Sequence, residues 1–353
     1  MIGLVEQFGG AREVLAVAAR QPARLGLEAD SINALVAPDE KRLEADLSWL
    51  GGETRNLVTW NDERYPALLR RIGSPPAALF VEGDADALWQ PQLAIIGSRN
   101  PTAGGLGHAR SFSAEIARLG IAVVSGLASG IDAAAHQPAV DAAGVTIAVT
   151  GTGLDRVYPA SSAPLAERIV QAGALVSEFP PDTPARRSHF PSRNRIIAGL
   201  SLGVLVVEAG LNSGSLITAR QAAEQGKEVF ALPGSLHNPM VKGCHRLIKQ
   251  GARLVENTHE ILEALAPLAG DLAGELQKAL EKPAASQPAK RSAELLDDPE
   301  YQRLWGVLSF DPKPVDELVH ESGLGVREVS SMLLMLELRG LIQGEAGSTY
   351  CRK

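Results

Sequence analysis

Aromatic side chains make up only 4% of this 353-residue chain, and it has just two cysteines, Cys244 and Cys351. Two cysteines build no disulfide framework, and no second Cys/His pair stands at ligand spacing to complete a zinc site around Cys244 and His245. No metal or cofactor is expected. No apolar run reaches the roughly 20 residues that a membrane-spanning helix needs, and no basic and apolar leader opens the chain. A cytoplasmic protein without membrane association is therefore expected. The chain also lacks positive charge in bulk: 34 Lys and Arg stand against 41 Asp and Glu, a net charge of −7. That argues against a protein that coats nucleic acid by net charge alone.

What is present is unevenly placed. Residues 87–114, 183–207 and 229–255 contain no Asp or Glu, yet hold Arg99, Arg110, Arg186, Arg187, Arg193, Arg195, Lys242, Arg246, Lys249 and Arg253. The first 86 residues carry an acidic excess. If the three acid-free segments meet in space, they form a positive groove on an acidic protein.

The hydrophobic pattern divides the chain. Residues 11–19, 31–35 and 40–50 read as short helices, so residues 1–57 form a small helical module. From residue 92 the period changes. Apolar runs at 93–96, 121–124, 145–149, 174–176, 204–207, 229–232 and 253–255 alternate with helical stretches at 105–119, 131–143, 163–172, 215–225 and 244–250. Continuous apolar strands between helices mean a mostly parallel sheet covered on both faces, a doubly wound α/β fold with an extended Rossmann-like sheet over residues 58–266. Residues 267–297, with Pro283 and Pro288 among Ala, Lys, Ser and Gln, read as a linker. In residues 298–353, helices at 301–308, 315–321 and 326–339 precede a short hairpin, the pattern of a winged helix. This last domain is close to neutral, with Val329, Met332, Leu333, Leu336 and Leu338 assigned to its core, so little is left to grip phosphate.

In doubly wound sheets ligands sit at the carboxyl ends of the strands. Three turns there are rich in small residues: Gly97-Ser98-Arg99, Ser125-Gly126-Leu127-Ala128-Ser129-Gly130, and Ser213-Gly214-Ser215. A strand, a Gly-rich turn and a helix leave N–H groups at a positive helix end, where an anion is favoured. Arg193-Asn194-Arg195 at a helix start adds two guanidiniums suited to phosphate. Asp132 and His136 lie one turn apart on the following helix and could act as an acid/base pair, and Pro138 predicts a kink or early stop there. The glycines do not fit G-x-G-x-x-G, Thr150 stands where a ribose-binding acid belongs, and no Walker lysine follows. Nicotinamide chemistry and ATP hydrolysis are thus disfavoured. Several phosphate-sized turns in one crevice suit a polyanion. With only Tyr158, Phe179 and Phe190 nearby, backbone tracking is the expected mode and a stacking platform is poorly supplied.

The order Gly97-Ser98-Arg99, S-G-L-A-S-G-I-D-A-A-A-H, G-T-G-L-D-R-V-Y-P, F-P-S-R-N-R-I-I-A-G-L-S, S-G-S-L-I-T-A and A-L-P-G resembles the DNA-processing protein A family, also called DprA or Smf. The resemblance spans residues 60–266. It implies a protein that is not an enzyme, binds single-stranded DNA, forms a homodimer and loads the RecA recombinase during natural transformation. It also implies an N-terminal module similar to SAM domains, here lacking its first helix, and a C-terminal winged helix. Carried over residue by residue, the phosphate pocket is Ser98, Arg99, Ser125, Gly126, Ser129, Gly130, Arg193, Asn194, Ser213, Gly214 and Ser215. The wider fold also resembles nucleoside-monophosphate phosphoribohydrolases, which use an Arg and a Glu beside a P-G-G-x-G-T loop. Here Pro233-Gly234 occurs without that loop, so Glu208 has no P-G-G-x-G-T partner and the enzyme is disfavoured.

Overall fold

The computed structural model describes residues 2–281, 299–309, 313–326, 328–329, 332–333, 336, 342–345 and 349–352. The chain divides into two compact units, Met1–Ala279 and Leu280–Lys353.

The first unit is organised by a nine-stranded sheet in the order β1-β2-β6-β5-β4-β3-β7-β8-β9. The strands are β1 (Arg55–Thr59), β2 (Ala78–Gly83), β3 (Gln92–Ile96), β4 (Ala122–Ser125), β5 (Thr146–Val149), β6 (Gly173–Ser177), β7 (Gly203–Val206), β8 (Glu228–Ala231) and β9 (Arg253–Leu254). From β6 to β9 all pairings are parallel. β2 joins β6 antiparallel, and β1 joins β2 antiparallel. β1 shows that the sheet begins within residues read as part of the helical module. Its sequence, Arg-Asn-Leu-Val-Thr, has too little apolar character to stand out.

Every residue of β3 through β7 is buried. That is why these strands read as unbroken apolar runs. Side chains still alternate between faces. Leu93 and Ile95 pack with Phe112, Ile116 and Ile131 on one face, while Ala94 and Ile96 pack with Ile196, Ile197 and Leu200 on the other. Helices α6 (Ala103–Arg118), α7 (Ile131–Asp141) and α12 (Thr258–Glu281) supply residues to the first face. Helices α9 (His189–Leu200), α10 (Ser215–Glu224) and α11 (Lys242–Lys249) supply residues to the second. α8 (Ala163–Ala172) buries Ala166 and Ile169 against Phe80 and Leu175.

Two expectations need correction. α12 passes through Pro267 and runs on to Glu281, so the start of the stretch read as a linker is helical. Ala, Leu, Glu and Gln outweigh one proline whose missing N–H breaks a single helical bond. α7 likewise continues past Pro138 to Asp141 rather than stopping early.

Helices α1 (Ile2–Phe8), α2 (Ala11–Arg20), α3 (Ala29–Val36) and α4 (Glu40–Leu50) precede the sheet, and the short α5 (Ala67–Arg70) lies between β1 and β2. The first three close a small core around Val14, Ala18 and Leu25. In the second unit, helices Pro299–Val307 and Val315–Ser322 and the hairpin Ile342–Glu345 with Thr349–Arg352 form a winged-helix arrangement. Val329, Met332, Leu333 and Leu336 are buried there as expected; Leu338 lies outside the described residues. Among the described residues, no helix is long and apolar enough to cross a membrane.

Candidate nucleic-acid interface

From β3 the chain steps outward through β4, β5 and β6, then returns to the other side of β3 at β7. The loops after β3 and β7 therefore diverge, which opens a crevice at the carboxyl edge of the sheet. A cavity of about 1050 Å³ lies there. All three acid-free segments contribute to it, through Arg99, Arg187 and Lys242 among others, so the positive groove does form. Asp132 is the one acidic residue in its lining among the described residues.

Seven of the residues singled out from sequence line this crevice: Ser98, Arg99, Arg193, Asn194, Ser213, Gly214 and Ser215. Arg99 is exposed and makes no ion pair among the described residues; its guanidinium carbon lies 5.5 Å from the centroid of the Phe190 ring. Ser213 and Ser215 share a hydrogen bond of 2.7 Å between hydroxyls where α10 begins. That helix start keeps the positive end of a backbone dipole in the crevice. Ser98 Oγ accepts the N–H of Asn100 at 3.0 Å, holding the loop that carries Arg99.

The remaining residues do other work. The Ser125 hydroxyl donates to the Ile95 carbonyl at 2.7 Å, tying β4 to β3 in the buried sheet. Arg195 is paired with Glu178 at 2.5 Å and is absent from the lining. Ser129 is exposed but lies outside the crevice. Gly130, with φ of 85°, abuts the loop after β3; a Cβ there would sit 2.4 Å from the Ser98 carbonyl oxygen. The Ile131 N–H donates to that same carbonyl at 3.1 Å. The start of α7 is thus docked on its own protein, and the Gly-rich turn is a clamp between two loops rather than an open anion site. Gly126 is required for a similar reason: a Cβ would meet the Arg193 guanidinium at 2.4 Å.

Arg193 is only 5% exposed. Its Nη1 donates to the carbonyls of Gly126, at 2.6 Å, and Val149. Its Nε donates to Asn194 Oδ1 at 3.2 Å. It therefore laces together the ends of β4 and β5 beneath the crevice. Burial lowers its pKa to about 10, with the Asp132 charge opposing that shift. Burial in turn raises Asp132 above the usual carboxylate range, against the pull of Arg193.

The Asp132 and His136 pair is not acid/base machinery in the crevice. His136 is fully buried, with Nδ1 2.7 Å from Thr146 Oγ1. That hydroxyl already donates to the Val123 carbonyl at 2.8 Å, so it accepts from Nδ1–H and fixes the tautomer. Burial pushes His136 down to about 3, and it stays neutral.

Glu208 follows β7 and accepts the Thr102 N–H at 2.8 Å and the Thr102 hydroxyl at 2.6 Å, at the start of α6. In a dinucleotide fold the pyrophosphate occupies that first helix end. Here the protein's own carboxylate holds it. Arg187 and Lys242 are exposed lining residues that the motif reading did not select, although both lie in acid-free segments that signalled them.

A doubly wound sheet whose first helix end is capped by Glu208, with a cationic crevice beside it, sets this fold apart from a dinucleotide-binding domain, where the pyrophosphate takes that helix end. Residues 56–266 match the family model for DNA recombination-mediator protein A, and residues 282–348 match that of the DprA winged helix domain. The chain belongs to the DNA-processing protein A (DprA/Smf) family. It is 44% identical over 308 residues to Protein Smf of Escherichia coli strain K12, covering 87% of this chain and 80% of that one. The structure of DNA processing protein A from Streptococcus pneumoniae aligns with a TM-score of 0.62 at 36% identity, over 72% of this chain and 86% of that one. The Helicobacter pylori protein, whose structure concerns its single-stranded DNA binding mode, aligns with a TM-score of 0.55 at 31% identity, over 60% and 96% of the two chains.

Proposed function

We propose that this protein binds single-stranded DNA along its phosphates in the switch-point crevice, and that it does so as a binding protein rather than an enzyme. The observation that carries the reading is the convergence of Arg99, Arg187, Lys242 and the start of α10 on one open cavity of about 1050 Å³. That volume lies at the upper end of the range for ligand clefts, so it has room for nucleotides of a strand. The single-stranded DNA binding of the Helicobacter pylori relative supports the same ligand. Membership of a family described as recombination mediators supports a role in DNA recombination; as further steps we propose a homodimer that passes the strand to the RecA recombinase during natural transformation, in the cytoplasm. Against a phosphoribohydrolase on this fold, both oxygens of Glu208 are engaged by Thr102. Release of free base from a nucleoside monophosphate, lost in Glu208→Gln, would favour that enzyme instead.

Arg99→Ala is expected to weaken single-strand binding by on the order of 1.5 kcal/mol, about tenfold, because one charged phosphate contact is lost from an exposed side chain. The dependence of log affinity on log salt should flatten by about 0.7. Titrations over a salt series, with a melting curve for each protein, check both. Unchanged affinity and slope place the strand elsewhere.

Removing residues 298–353 is expected to leave single-strand affinity within a few-fold, since the winged helix is nearly neutral and most of its apolar side chains close its own core. A truncated protein that still melts cooperatively but loses most of its binding would overturn this.

A further inference from the structure

A second cavity, of about 700 Å³, lies on the face of the sheet that α10 and α11 cover. It shares a wall with the crevice at Leu211, Asn212, Ser213 and Ile217, but its interior is built differently. Ala219 and Ala223, one turn apart on α10, and Ala252 before β9 are too small to close the gap to Leu247 of α11. With Leu216 and Val229 they give the cavity aliphatic walls.

Three cations come to these walls from three elements: Arg220 from α10, Lys227 from the turn before β8, and Arg246 from α11. None of them makes an ion pair among the described residues. Arg220 and Arg246 are exposed, while Lys227 is half-buried. Glu228 is the one acidic lining residue among the described residues, and strand alternation sets its side chain on the opposite face from Val229, which packs on this one. Burial pushes Lys227 down to about 8, and the nearby Arg71 charge adds to the shift. An ammonium that has lost water without gaining a counter-ion favours the arrival of an anion.

We propose that this cavity is a second ligand site, which takes a small organic anion: an apolar body against Leu216, Val229 and Leu247, and an oxyanion group held by Arg220, Lys227 and Arg246. The volume falls within the range of small-molecule sites, and apolar walls with a few convergent charged groups are what orient such a ligand. Guanidinium forks match planar oxyanions, and the ammonium adds a point charge. The charged groups about Lys227 are Arg71 after α5, Arg220, Arg246 and Glu228. An anion in the site favours the ammonium form, so binding takes up a proton wherever the lysine is neutral. Affinity therefore falls as pH rises through about 8.

The test uses the full chain and anilinonaphthalenesulfonate, an aromatic body with one anionic group whose fluorescence rises when it leaves water. The wild type is expected to bind one molecule per chain, with a dissociation constant about tenfold higher at pH 9 than at pH 7. Lys227→Met should weaken binding about tenfold at pH 7 and remove the pH dependence. Ala223→Trp, which puts an indole into the cavity from an exposed position, should abolish binding while the melting curve stays cooperative. Arg99→Ala, in the crevice, should change nothing. An Arg99→Ala loss as large as that of Lys227→Met puts the probe in the crevice and overturns the second site. Undiminished binding to folded Ala223→Trp, or no binding to the wild type, overturns it equally.

Discussion

Arg193→Ala is expected to lower the unfolding free energy of the sheet domain by about 3–5 kcal/mol, because a large buried side chain is removed and two buried carbonyls lose a charged donor. The guanidinium is buried, donates to the Gly126 and Val149 carbonyls, and faces Asp132. Alanine leaves two carbonyls unpaired, opens a cavity against Gly126 and strands a buried carboxyl. The deficit should depend on pH in a definite direction. Asp132 already sits above its ordinary pKa through burial, and Arg193 is what restrains it. Without Arg193 it rises further. A carboxyl with a folded pKa above its unfolded value contributes stability that is whole below the unfolded value and is lost as pH rises through the folded one. The variant's deficit should therefore be smallest in mild acid and grow toward neutral pH. Denaturant unfolding of both proteins across that range measures it. A variant with wild-type stability and weakened DNA binding would restore Arg193 to the role of phosphate ligand.

That role was the natural reading of the sequence, and the burial of Arg193 at the crevice shows what sequence reasoning does not reach. The strands were legible because burial on both faces demands unbroken apolar runs, and a motif of small residues reliably marks strand-to-helix turns. What the small residues are for was not legible. Glycine admits close approach by any group, whether a phosphate or the protein's own backbone, and Gly126 and Gly130 meet Arg193 and the Ser98 carbonyl. Arginines are equally ambiguous. Arg99, Arg193 and Arg195 all stand beside turns in acid-free segments, yet one is exposed in the crevice, one is buried below it and one is paired with Glu178. Exposure and pairing belong to the tertiary structure. The acid-free segments themselves proved the more faithful signal, since they also held Arg187 and Lys242. Absence of acid reports the electrostatic demand of a whole surface, whereas a motif reports only local backbone geometry.

Gly130→Ala joins the fold to the site most directly. Gly130 has φ of 85° and ψ of −126°, a conformation nearly reserved for glycine. A Cβ there would lie 2.4 Å from the Ser98 carbonyl oxygen and 2.7 Å from that of Arg99. Both are main-chain atoms, so no side chain can swing aside. The loop after β3 must part from the start of α7, and the bond from the Ile131 N–H to Ser98 must stretch. Backbone strain and the displaced contact together are expected to cost about 2–4 kcal/mol of stability. The same displacement moves Ser98 and Arg99, so single-strand affinity should fall more than tenfold even at temperatures where the variant stays folded. Gly107→Ala is the matched control: that glycine is exposed within α6 and a Cβ would meet nothing within 4 Å. Alanine there should leave binding unchanged and stabilise by about 0.5–1 kcal/mol through helix propensity. Melting curves and binding titrations on the two variants separate the effects. If Gly130→Ala binds and melts like the wild type, the turn is not the clamp that holds the crevice floor.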